Sequence, residues 1–144
     1  MDATSKISQM ILSSKYHSQL RAILLDGVTF GGFNVVDIQE LHEETSVPVI
    51  VVTRTFPDFD AIRRALENLE NSELRFSIIK KAGSLTPVDT GGPSEVYIQC
   101  AGLSPEYAAK LVKKTSLHSS IPEPIRVAHL IATAMVLGES TGKA

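Results

Sequence analysis

The stretch Ala22-Ile23-Leu24-Leu25-Asp26-Gly27 decides the fold. A short, continuous apolar run of this kind reads as a strand buried on both faces, as in a parallel or mixed sheet. It ends on a carboxylate, which is costly to bury without a partner. In open α/β sheets, ligands and metals collect in the crevice beyond the carboxyl ends of the strands. Asp26 therefore stands where a catalytic acid would stand. The plainer alternative is a turn, because Asp-Gly is a common turn pair.

Working outward, Asp2 or Thr4 can cap a first helix, with Ile7, Met10 and Ile11 on one face. The strand is set at residues 20–26 and is followed by a loop, 27–34, holding three glycines and two phenylalanines. Residues 36–44 form a short acidic helix, and 47–53 a second apolar strand rich in β-branched residues. Pro57 and Asp58 open a third helix with Ile62, Ala65, Leu66 and Leu69 as its buried stripe. Residues 74–81 and 95–100 alternate as strands, joined by a long loop, 83–94. Ser104-Pro105-Glu106 starts a helix through 107–116. Pro122-Glu123-Pro124 launches a last helix whose apolar residues cover so much of its circumference that burial on more than one side is expected. Helices alternating with apolar strands argue for an α/β or α+β layer fold, in a single domain over residues 1–144.

The 144 residues suffice for a real core, with 43% hydrophobic and 21% charged side chains. A net charge of −2 creates no global basic field. A nucleic-acid partner would have to be held by a local patch or by metal ions. The single cysteine, Cys100, rules out an internal disulfide and a Cys-based zinc site. Its apolar surroundings read as a buried structural thiol. No apolar stretch reaches the length of a membrane span, and the first residues lack a signal-peptide pattern. A cytoplasmic protein without membrane attachment is the expectation.

The candidates for chemistry are Asp2, Asp26, Asp37, Asp58, Glu123 and His129. His129 interrupts an apolar helix. Such a residue is commonly a satisfied core histidine, but His is also the commonest imidazole ligand and titrates near neutrality. Arg126, three residues earlier on the same side, can pair with a carboxylate or a phosphate. Glu123 reads as a helix-start acid favoured by the macrodipole. His17, His42 and His118 sit in polar contexts and read as solvated. No phosphate-loop, dinucleotide or nucleophile-elbow signature is present.

Leu24-Leu25-Asp26-Gly27 with its glycine-rich loop, followed by Val47-Pro48-Val49-Ile50-Val51-Val52, resembles the middle of endonuclease V. Ile121-Pro122-Glu123-Pro124-Ile125-Arg126-Val127-Ala128-His129 resembles a segment near that family's C-terminus. More closely still, the chain resembles an archaeal family of unknown function related to endonuclease V. That family's Asp-Gly-x-x-Phe-x-Gly-Phe-Asn, Pro-Glu-Pro-x-Arg-Val-Ala-His-Leu-Ile-Ala and Gly-Glu-Ser fall here on residues 26–34, 122–132 and 138–140. The resemblance implies a ribonuclease H-like mixed sheet flanked by helices and Mg²⁺-dependent hydrolysis of a phosphodiester. The implied partner is DNA or RNA that is structured or carries inosine. It places Asp26 and His129 in the catalytic site, with Asp2 and Asp26 as metal ligands. Arg54 and Arg126 would bind phosphate. The family's further N-terminal strands, one bearing its first catalytic acid, would precede Met1, so the resemblance also implies that these strands are missing.

Two principal readings follow: a Mg²⁺-dependent nuclease, or a catalytically inactive nucleic-acid-binding or protein-interaction module of the same fold. A small-molecule enzyme on an unrelated α/β fold is a third, because fold does not fix function. If a first strand is missing beside residues 20–26, an apolar sheet edge is left bare. A homodimer through that exposed edge is then expected.

Overall fold

The computed structural model describes residues 1–140. Helix α1 (Ala3–Leu12) opens the chain. Its cap comes from a distant residue: Asn34 Oδ1 accepts the backbone N–H groups of Asp2 and Ala3, both at 3.1 Å. After one 3₁₀ turn come strand β1 (Ile23–Asp26) and a hairpin of β2 (Thr29–Phe30) and β3 (Asn34–Val35). Gly31 and Gly32, at φ +50° and +87°, make its turn. Helix α2 (Ile38–Thr45) is capped by Asp37, which accepts from the N–H groups of Gln39 and Glu40. Strand β4 (Val49–Thr53) and helix α3 (Phe59–Leu66), capped by Asp58, follow. Then come α4 (Ser72–Lys81), β5 (Thr86–Val88), β6 (Val96–Ala101), α5 (Pro105–Thr115, capped by Ser104) and α6 (Glu123–Leu137).

The main sheet runs β1-β4-β6-β5. β1 is parallel to β4 with Asp26 opposite Val52, and the remaining pairs are antiparallel. The result is a mixed α/β fold. One face buries Val49 and Val51 under α1 and α2 with Ile38 and Leu41. The other buries Ile50, Val52 and Ile98 under α5 and the start of α6. A third apolar cluster, with Val35, Leu66, Phe76 and Ile79, joins the hairpin to α3 and α4.

Several expectations are corrected. Residues 74–81 are helical, because Phe76 and Ile79, three apart, pack into the third cluster as a helical stripe. The loop at 83–94 contains β5, an edge strand that tolerates Pro87. The first strand starts at Ile23 rather than residue 20 and is not buried on both sides. Among the described residues it is an edge strand with one neighbour, β4, and Asp26 is exposed. Met10 faces solvent, 64% exposed, so Ile7 and Ile11 carry the α1 contact. Leu69 lies beyond the end of α3. Among the described residues of α6 only Ile125 is buried, against the expected burial on several sides, and Met135 is 83% exposed.

Two of the histidines read as solvated are staples. His17 Nε2 lies 2.9 Å from the Thr45 carbonyl and His42 Nδ1 3.0 Å from that of Val47. The His42 ring also fills the space over Gly102, where an added Cβ would lie 2.3 Å from its Cε1. Cys100 is half-buried, and burial pushes its thiol pKa up, in keeping with a structural thiol. Among the described residues no helix is long and apolar enough to cross a membrane.

Candidate functional site

The alternation of β1 sends Ile23 and Leu25 into the α1–α2 core and turns Leu24 and Asp26 the other way. Helix α6 lies on that side. Its residues Ile125, Ala128, His129 and Ala132, spaced three and four apart, share one face. Between them and the end of β1 lies a cleft of about 430 Å³, closed at one side by Thr29, Phe30 and Gly31 of the hairpin. Alanines at 128 and 132 leave the floor open around the imidazole. The cleft sits at the carboxyl end of β1, where such sheets bind ligands.

Asp26 and His129 are therefore brought to one cavity from positions a hundred residues apart in the chain. Both are exposed, and among the described residues neither side chain makes a hydrogen bond or ion pair. This separates Asp26 from Asp37 and Asp58, whose carboxylates cap helices. Asp37, almost buried, also binds Lys81 Nζ at 2.6 Å. His129 is not a packed core histidine.

Asp2 does not join them. Among the described residues, no group of three His, Cys, Asp or Glu side chains is arranged to hold a metal ion. Asp2 accepts from Asn34 Nδ2 at 2.9 Å, and this bond holds its carboxyl below the usual pKa. Since Asn34 pairs with Phe30 across the hairpin, Asp2 is tethered to the strand pair that walls the cleft. Arg54 lies just past β4, two residues beyond the partner of Asp26, exposed and without an ion pair among the described residues.

Arg126 is already engaged. Its Nη2 donates to Glu123 Oε2 at 2.7 Å and its Nε to both carboxylate oxygens at 3.0 and 3.1 Å. His118 Nδ1 approaches the same carboxylate at 3.1 Å. The Arg126 guanidinium, with His118 beside it, lowers Glu123 to about 2. A carboxyl depressed on folding adds stability above its ordinary value of 4.5, and this is lost as pH falls toward 2. Thermal melts between pH 6 and 2 are expected to show Glu123→Gln losing less stability than the parent in that window. Parallel curves for the two proteins would refute the ion pair.

Behind the hairpin lies a second, smaller cavity of about 210 Å³ at the same end of the sheet. Phe33, Phe59, Ile62 and Ile79 form apolar walls, and Thr29, Thr53, Thr55 and Gln99 supply neutral polar groups. Among the described residues no charged side chain lines it. Thr29 lines both cavities, so the loop after Asp26 is the partition between them. Sequence reading passes over Thr29 and Gln99. The one available signal was a lone glutamine in the apolar run of β6.

Comparison with known proteins agrees with this architecture. The chain is 55% identical over 147 residues to a UPF0215 protein of Methanosarcina acetivorans, covering 100% of this chain and 74% of that protein. It is 46% identical to a UPF0215 protein of Archaeoglobus fulgidus, covering 77% of its length. The crystal structure of a protein of unknown function from Archaeoglobus fulgidus DSM 4304 superposes with a TM-score of 0.86 at 45% identity. That match covers 94% of this chain and 75% of the other. Residues 1–136 match the family described as Endonuclease dU, and with that match, which takes in both Asp26 and His129, the chain belongs to this family.

Proposed function

We propose that the protein is a phosphodiester-cleaving nuclease on a ribonuclease H-like sheet, acting on nucleic acid that carries a deaminated base. The carrying observation is the convergence of Asp26 and His129, two otherwise uncommitted side chains, on one open cleft at the carboxyl end of β1. The family's description supports deoxyuridine in DNA as the first substrate to try, with inosine as the comparison. The neutral cavity across Thr29 supports the same reading, because it offers a flat heterocycle a place beside the cleft.

Asp26 supplies a hard oxygen donor, the type Mg²⁺ prefers. With one carboxylate in the cleft, the donor set fits an ion completed by water and substrate phosphate, and does not fit a cage built by the protein. Such an ion would neutralise charge on the phosphate. In the cleavage, water oxygen bonds to phosphorus and one P–O ester bond breaks. His129 takes the proton released by the attacking water, and the departing oxygen leaves protonated by solvent. Arg54 meets the phosphate charge.

The test is incubation of end-labelled strands holding one deoxyuridine or one inosine, with Mg²⁺ or with chelator. Metal-dependent cutting near the altered base is the expected result. Tight binding without cutting would overturn the nuclease reading in favour of a binding module of the same fold.

A further inference from the structure

We propose that Gln99 is the specificity-determining residue of this site: its side-chain oxygen accepts the ring N–H that a deaminated base has and its parent base lacks. The inference rests on the proposed nuclease reading, which it deepens. Gln99 lies in β6 opposite Val51 and is 6% exposed. Its Nε2 donates to the carbonyl of Gly83, just past α4, at 2.7 Å. A carbonyl only accepts, so this bond assigns the amide orientation: nitrogen toward Gly83, oxygen at the other end. Among the described residues nothing donates to that oxygen, and no side-chain polar atom is sealed away without a partner. The residue lines the neutral cavity, so a donor that enters it comes beside that oxygen.

The walls define the ligand. They present apolar surface, two phenyl rings and uncharged polar groups, which excludes a phosphate or an ionised head group. Pockets for drug-sized ligands start at about 300 Å³, so this cavity suits one heterocycle. Thr53 Oγ1 is already donating to the Tyr97 carbonyl at 3.3 Å, and the Thr29 and Thr55 hydroxyls can rotate to donate or accept, so the Gln99 oxygen is the side-chain group held in the acceptor role. An anchored acceptor attracts the N3–H of uracil or the N1–H of hypoxanthine. It repels the lone pair that cytosine or adenine carries at the same ring position. A well-placed contact of this kind discriminates by roughly 10- to 100-fold.

The experiment is fluorescence anisotropy with the full chain and single-stranded oligonucleotides, in chelator so that nothing is cut. The strands carry one deoxyuridine, one N3-methyldeoxyuridine or one deoxycytidine. The parent protein is expected to bind the deoxyuridine strand about 10- to 100-fold more tightly than the other two. Gln99→Leu and Gln99→Met, checked for folding by their melting temperatures, should lose that preference, with the deoxyuridine and deoxycytidine strands converging on the same affinity. Equal binding of deoxyuridine and its N3-methyl form by the parent protein overturns the proposal without any variant. So does a preference that survives in both variants. Discrimination without Mg²⁺-dependent cutting would instead sink the nuclease reading and leave Gln99 in place.

Discussion

Asp26→Asn is expected to lower cleavage by roughly 100- to 1,000-fold while leaving the fold intact. The substitution keeps shape and removes charge. In phosphoryl transfer, positioned charge does most of the work, and losing one preorganised group costs about 10² to 10³ in rate. The carboxylate is exposed and bonds to nothing else described in the chain, so the change in stability should stay within about 0.5 kcal/mol. His129→Ala should cost about 10²- to 10⁴-fold, the range for a lost general acid or base. The double variant should fall little further, because groups acting as a unit are not additive. Single-turnover cleavage beside thermal melts checks all three. An Asp26→Asn protein with ordinary activity would move the chemistry out of this cleft.

The largest expected loss of stability comes from Gly102→Ala. Its φ of +78° already disfavours a side chain, at a cost of about 1–2 kcal/mol. The new Cβ would also meet the His42 ring at 2.3 to 2.5 Å, a ring held by its bond to the Val47 carbonyl. Together these should remove about 2–3 kcal/mol. For a chain of this size that is a fall in melting temperature of roughly 6–10 °C. His42→Ala in the same protein should recover the steric part, so the two changes together should cost less than their sum. A Gly102→Ala protein as stable as its parent would show that His42 moves aside freely.

Much of this arrangement was legible in the sequence, for physical reasons that can be named. β4 is a β-branched run buried along its length, and one period fits it. Asp58, Ser104 and Pro105 announced their helices through cap chemistry. Residues 72–81 satisfied two periods at once. Leu74, Phe76 and Ile78 alternate like a strand, while Phe76 and Ile79 are spaced like a helix. Only the third cluster, in which Phe76 and Ile79 meet Val35 and Leu66, decides between them. The apolar length of α6 promised burial, but apolar character does not say whether a neighbour exists to cover it. In the site, Asp26 was visible because a strand stopped on it. Gln99 was not, because its meaning depends on the Gly83 carbonyl sixteen residues earlier and on a cavity lined from β2, β4, α3 and α4.

One wall of the cleft is carried like a cantilever. Helix α6 is gripped at its first turn by Ile125 and by the contact of Glu123 with His118, while Met135, Val136 and Leu137 at its far end are 83%, 81% and 70% exposed. His129 sits one turn past the grip. Local opening should begin at the free end and travel inward, so the imidazole belongs to a compliant part of the molecule and Asp26 to the sheet. Closing the site on a substrate then means quieting a helix, and some of the binding free energy is absorbed in that loss of motion.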